Sequence, residues 1–152
     1  MTLSQYSFSQ VKSVSLQASG LTCSMCSNAI NRSLKTLDFV EAVKPNIATS
    51  TFEITFKPNS SIDFDRLKNK VEDAGFFVSK FLATVVFNNV QAKNNMPVTV
   101  GDKTFEFLNS ENRLLNGEQQ IRVVDKGFVP AKEYRKNAFG TVSGEHVYHA
   151  TI

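Results

Sequence analysis

From Val11 to Ala18 apolar and polar positions alternate, with Val14, Leu16 and Ala18 on one side, which predicts a β-strand. Beyond the segment GLTCSMC the period changes. Cys26, Ile30, Leu34 and Leu37 follow at intervals of four, four and three, a single stripe along a helix. The stretch VEAVKPNIATSTFEITFK then reads as two strands joined by a turn near Thr49 and Ser50, with Phe52, Ile54 and Phe56 on one face of the second. Asp63 is placed to cap a second helix. Its buried stripe is Phe64, Leu67, Val71 and Ala74, and Gly75 suits the left-handed position that ends it. FFVSKF supplies a fourth strand. The order strand, helix, strand, strand, helix, strand is the ferredoxin-like split βαβ arrangement, with both helices on one face of an antiparallel sheet.

After Phe81 the pattern is mostly β. FLATVVFNNV, MPVTV, KTFEFL, QQIRVVD and HVYHATI read as strands, and Gly101-Asp102 and Asn116-Gly117 as hairpin turns. PAKEYRKN can form one short helix with Pro130 in its first turn. The expected fold class is therefore α+β. It comprises an N-terminal extension over 1–10, a ferredoxin-like βαββαβ domain over 11–81, and a small β-rich domain over 82–152, an OB-like barrel or a sandwich. No Gly/Ser-rich or Pro-rich linker separates the two domains, so the fourth strand is expected to run almost directly into the second. That strand is antiparallel to the first, so its C-terminal end should lie away from the cysteine loop. The second domain should then hang from the far end, and a chain ending near Phe81 should fold alone.

Composition changes little in this picture. The 152 residues are 41% hydrophobic and 20% charged, with a net charge of +3, an ordinary globular profile. There are nine basic against seven acidic residues up to Phe81 and eight against seven after it. Neither half is basic enough to argue for a nucleic-acid partner. No apolar run is long enough to insert in a membrane. The start MTLSQYSFSQVKS lacks the features of a secretion signal. A native Met1 implies the cytoplasm, whereas an exported, periplasmic protein that had lost its leader would look the same.

The chemistry concentrates in GLTCSMC, which holds both cysteines of the chain. A metal site, a redox couple and a structural disulfide are the readings such a pair allows. Cys23 falls in the loop between the first strand and first helix, and Cys26 in the first helical turn. The unpaired N–H groups and positive dipole end of a helix favour a thiolate, so at least one cysteine is expected to titrate below the free value of about 8.5. Two soft thiolates suit Cu(I), and less selectively Zn(II), Cd(II) or Hg(II). A closed zinc site wants four ligands. Two ligands leave positions through which the ion can be passed on.

The segment from Val11 to Phe81 resembles the heavy-metal-associated domain of copper chaperones and of the N-terminal tails of copper-transporting P-type ATPases. The family signature Gly-Met-Thr-Cys-x-x-Cys reads GLTCSMC here, and KNKVEDAGF stands where the family's second helix ends in Glu-Asp-Ala-Gly-aromatic. The resemblance implies Cys23 and Cys26 as metal ligands, with Thr22 shaping the loop and Phe76 beside the site. Leu21 replaces the usual Met, a buried anchor in the family, and Leu can fill that role. The implied partner is a metal donor or acceptor, such as a P-type ATPase or another CxxC domain.

Other candidates are weaker. Met25, between the cysteines, is expected to face solvent rather than ligate. His146 and His149 are three apart on a strand and so point to opposite faces. With Met96 they are the candidates if the second half were to supply a ligand. Lys126, Lys132, Arg135 and Lys136 are interrupted by Asp125 and Glu133 and read as a solvated face. Phe87, Phe105 and Phe107 read as core. No catalytic constellation is present, so the sequence points to a binding protein. Two rivals remain: a thiol-disulfide protein using the same pair, and a metal-responsive adaptor whose β-rich half binds a protein or an oligonucleotide.

Overall fold

The computed structural model describes residues 10–19, 24–58, 60–93, 97–101, 103–108, 112–136 and 147–152. The first unit is built from β1 (Gln10–Ser19), α1 (Ser24–Lys35), β2 (Val40–Asn46), β3 (Thr51–Phe56), α2 (Phe64–Asp73) and the start of β4 (Phe77–Ala92). The alternation in β1 buries Val14, Leu16 and Ala18. β1 pairs antiparallel with β3 on one side and β4 on the other, so that Leu16 lies between Phe52 and Phe81. Both helices lay their predicted stripes on this sheet: Ile30 and Leu34 from α1, and Phe64, Leu67 and Val71 from α2, are fully buried.

The helix ends follow the sequence signals. The Asp63 carboxylate accepts from the backbone N–H of Asp65 at 3.0 Å and of Arg66 at 3.2 Å, satisfying two of the donors a helix start leaves open. Gly75 takes φ +92°, and the N–H of Phe76 returns to the Val71 carbonyl at 3.1 Å. That left-handed turn stops α2 and directs the chain into β4.

β4 does not end at Phe81. It runs for 16 residues and joins the two predicted strands on either side of that position into one. Its outer edge pairs antiparallel with β7 (Arg113–Val123), and the sheet continues through β8 (Val147–Thr151), β6 (Lys103–Phe107) and β5 (Pro97–Val100). The strand order is β2-β3-β1-β4-β7-β8-β6-β5 in one eight-stranded sheet. The parallel pair is β6 with β8. The strands after Phe81 thus extend the first sheet. β4 and β5 are not paired among the described residues, so a closed barrel is not what these pairings form.

Two further expectations change. Gly101 does turn the β5–β6 hairpin, with Val100 opposite Lys103. Asn116-Gly117, however, lies inside β7. The register slips between Phe87 and Val90, and Asn89 and Gly117 adopt φ 49° and 77°. The residues that favour positive φ serve a bulge there instead of a hairpin. The second half also does not simply hang from the far end. β7 runs back alongside β4, with Arg122 opposite Leu82, and returns the chain towards the end where β4 begins. There Phe128 packs edge-on against Phe81 at 5.0 Å, and α3 (Ala131–Lys136) follows. Buried residues from Val14 to Ala150 form a single cluster.

Candidate metal centre

Thr22 and Cys23 lie outside the described residues; their two flanks, Ser19 and Ser24, end β1 and begin α1. β1 is fixed up to that point. The Ala18 N–H donates to the Ser50 carbonyl at 3.0 Å, and Ser19 is paired with Phe77 across the β1–β4 ladder. α1 is held from below by Ile30 and Leu34 and from the side by the Ser33 hydroxyl, which donates to the Lys70 carbonyl at 2.8 Å.

Cys26 sits half-buried in the first turn of α1. Its neighbours separate by face: Ser27 is buried and Met25 is 78% exposed, which places the Met25 side chain in solvent. The first turn carries no acidic residue, whereas Arg32 and Lys35 occupy the last. The positive end of the helix dipole is therefore not offset by a carboxylate from its own first turn, and the negative end is complemented. Phe76 is half-buried against the core, next to the Phe77 that faces Ser19. The structure thus brings Phe76, the end of β1 and the start of α1 to one end of the sheet. Among the described residues there is no group of three or more His, Cys, Asp or Glu side chains able to hold a metal ion.

Of the second-half candidates, Met96 and His146 lie outside the described residues. His149 is buried in β8, far along the sheet order from β1. Its Nδ1 is 2.7 Å from Asp125 Oδ1, and its Nε2 is 3.2 Å from Glu106 Oε2. Asp125 Oδ2 also accepts from the His149 backbone N–H at 2.7 Å. Burial raises the Asp125 carboxyl above the usual range, against the lowering effect of its hydrogen bonds to His149. This is a structural clamp on the last described strand. Its partners are 24 and 43 positions away along the chain, and no local pattern pointed to them. Lys103 was missed too. Its ammonium is buried, donates to the Ile62 carbonyl and lies 5.0 Å from the Phe64 ring centre, joining β6 to the start of α2.

Residues 15–77 match the model of the heavy-metal-associated domain. The resemblance read from GLTCSMC and KNKVEDAGF is borne out over that segment, which spans both cysteines. A curated relative, a probable copper-exporting P-type ATPase of Archaeoglobus fulgidus, is 38% identical over 63 residues, 41% of this chain. The matched segment spans only 8% of that relative's length. Among solved structures, the yeast copper transporter domain studied in apo and Cu(I)-bound states is 31% identical, with 44% of this chain and 90% of that one covered and a TM-score of 0.39. A putative copper-ion-binding protein of Bacillus anthracis is 32% identical, with 47% and 96% covered and a TM-score of 0.39.

Proposed function

We propose that the heavy-metal-associated segment binds a soft metal ion, Cu(I) first, through the thiolates of Cys23 and Cys26, and exchanges it with a partner that also presents soft ligands. The observation that carries this reading is the match over residues 15–77, because that segment contains both Cys23 and Cys26. A helix start without a carboxylate of its own favours the thiolate form both ligands need. Two thiolates bind Cu(I) and leave room for a third from the partner. The family resemblance assigns Thr22 to shaping the loop and Phe76 to the side of the site. The relative's printed role in copper export supports Cu(I) as the cargo; Zn(II), Cd(II) and Hg(II) are competitors. The chain acts as a binding and transfer protein rather than an enzyme. Strands β5 to β8, which continue the sheet beyond β4, position it.

Cu(I) competition against a colorimetric chelator under anaerobic conditions tests the assignment. Cys23→Ser and Cys26→Ser should each lose most of the affinity while the far-ultraviolet spectrum is kept. A single variant that holds Cu(I) as well as the parent would remove the assignment. The rival thiol-disulfide reading predicts a catalytically useful reduction potential together with weak Cu(I) binding, so measuring both separates them.

A further inference from the structure

We propose that the cleft between α2 and the segment Lys126–Arg135 is a second contact surface for the protein that exchanges metal with Cys23 and Cys26, and that it takes an acidic segment of that partner bearing an apolar side chain. The proposal rests on the metal-transfer reading for the identity of the partner.

The cleft has a volume of about 910 Å³, within the range of natural ligand sites. One wall is α2, through Lys68 and Glu72, and the other is the turn before α3 and α3 itself, through Lys126, Tyr134 and Arg135. Its base includes the buried Val78 and Val129, and Phe77 stands at its edge with 68% of its surface exposed. An exposed ring beside buried apolar side chains is a surface that gains from being covered.

Its charge is one-sided. Lys68, Lys126 and Arg135 line it against the single carboxylate of Glu72. The carboxylates next to these cations in sequence are turned elsewhere. Glu133 pairs with Arg122 at 2.9 Å, and Asp125 with His149 at 2.7 Å. Lys68 is itself placed, its ammonium 5.8 Å from the Phe128 ring centre. The complement of such a surface is a segment with two or more carboxylates around an apolar side chain.

Location identifies the partner. Ser19 lines the cleft and is the residue before GLTCSMC, and Phe77 follows Phe76. A protein whose thiolates reach Cys23 and Cys26 lies against the same end of the molecule. The second half of the chain reaches that end because β7 runs antiparallel to β4.

The test uses the reduced, metal-free full chain and two synthetic probes, acetyl-Glu-Asp-Phe-Asp-Leu-amide and the same peptide with lysines in place of its acids. Amide chemical shifts should move for Phe77, Val78 and Ala131 with the acidic peptide. That peptide should bind at least tenfold more tightly than the basic one, and less tightly as salt is raised. Lys68→Glu with Arg135→Glu should weaken it a further tenfold or more. Lys68→Gln with Arg135→Gln provides the milder pair if the reversal disturbs folding. The Cys23→Ser, Cys26→Ser double variant should bind the peptide unchanged, so a failed metal assignment leaves this readout intact. Conversely, the charge-reversed protein should keep its Cu(I) affinity. Equal binding of the two peptides, shifts elsewhere on the surface, or indifference to both substitution pairs would overturn the proposal.

Discussion

The ring of Phe64, the first residue of α2, lies 5.3 Å from that of Tyr148 in β8, the last strand of the chain. The Tyr148 hydroxyl donates to Asp65 on the same helix at 3.2 Å. A helix of the heavy-metal-associated segment is thus seated partly on the second half. Tyr148→Ala should cost about 3–5 kcal/mol, the usual loss when a buried aromatic is truncated. Tyr148→Phe, which keeps the ring and loses one hydrogen bond, should cost about 1 kcal/mol. Urea unfolding followed by helix signal checks both, and a Tyr148→Ala protein as stable as the parent would contradict the shared packing.

The same contacts bear on truncation. A chain ending at residue 81 keeps β1, β2, β3, α1 and α2 but loses three ring partners of α2 and β4: Phe105 and Tyr148 against Phe64, and Phe128 against Phe81. It also loses the β7 side of β4. Such a fragment should unfold at a clearly lower urea concentration than the full chain. Wherever it is folded, its Cu(I) affinity should stay within tenfold, or about 1.4 kcal/mol, because both cysteines belong to the retained part. A thousandfold loss would mean that the second half supplies a ligand.

Much of the first unit was legible because its signals are local. The Phe64-Leu67-Val71 stripe, the Asp63 cap and the Gly75 stop each depend on residues within about two turns of one another, and each forms as read. The motif around the cysteines was legible for another reason, as a short string shared with a family. What could not be read were pairings set by three-dimensional competition. Phe81 carries no stop signal, and the strands on either side of it fuse because β7 offers Gly117 to Arg122 as partners for Phe87 to Leu82. Asn116-Gly117 is a turn sequence by propensity, but the bulge opposite Asn89 uses the same backbone freedom. The parallel β6–β8 pair joins residues 43 positions apart, and His149 reaches Asp125 across 24, where no periodicity reaches.

Gly127 offers a sharper test of the turn before α3. It adopts φ +90°, and a Cβ built there would stand 2.6 Å from Lys68 Cδ. Gly127→Ala therefore meets both a backbone conformation that side chains resist and a collision with α2. It should destabilise by about 1–2 kcal/mol. Adding Lys68→Ala should recover the steric part only, since the lysine stem is flexible and the φ is not altered. Full recovery in the double variant would show that the left-handed backbone carries no cost there.

The Asp125–His149–Glu106 group gives the pH dependence its sign. Asp125 faces the imidazole from the end of β7, Glu106 faces it from the neighbouring strand β6, and Asp65 on α2 adds a further negative charge near Asp125. Burial raises the Asp125 carboxyl, and the hydrogen bonds and charge of His149 reverse only part of that rise. A carboxyl whose folded value lies above its unfolded one, about 3.9, binds its proton more tightly in the native state. Its contribution to stability is therefore complete below the unfolded value and is lost as pH climbs through the higher folded value. Asp125→Asn removes that titration. The stability difference between parent and Asp125→Asn should be most favourable to the parent at the acid end and should shrink as pH rises from about 3.9 through the folded value. His149→Ala should behave differently: it leaves two partly buried carboxylates without the imidazole between them, at a cost of about 3 kcal/mol when both are ionised. That cost should fall once Asp125 takes up its proton. Urea unfolding of the three proteins at half-unit steps from pH 3 to 8 provides the curves. If Asp125→Asn runs parallel to the parent throughout, burial does not govern Asp125, and the carboxylate is instead held ionised by His149 across the whole range.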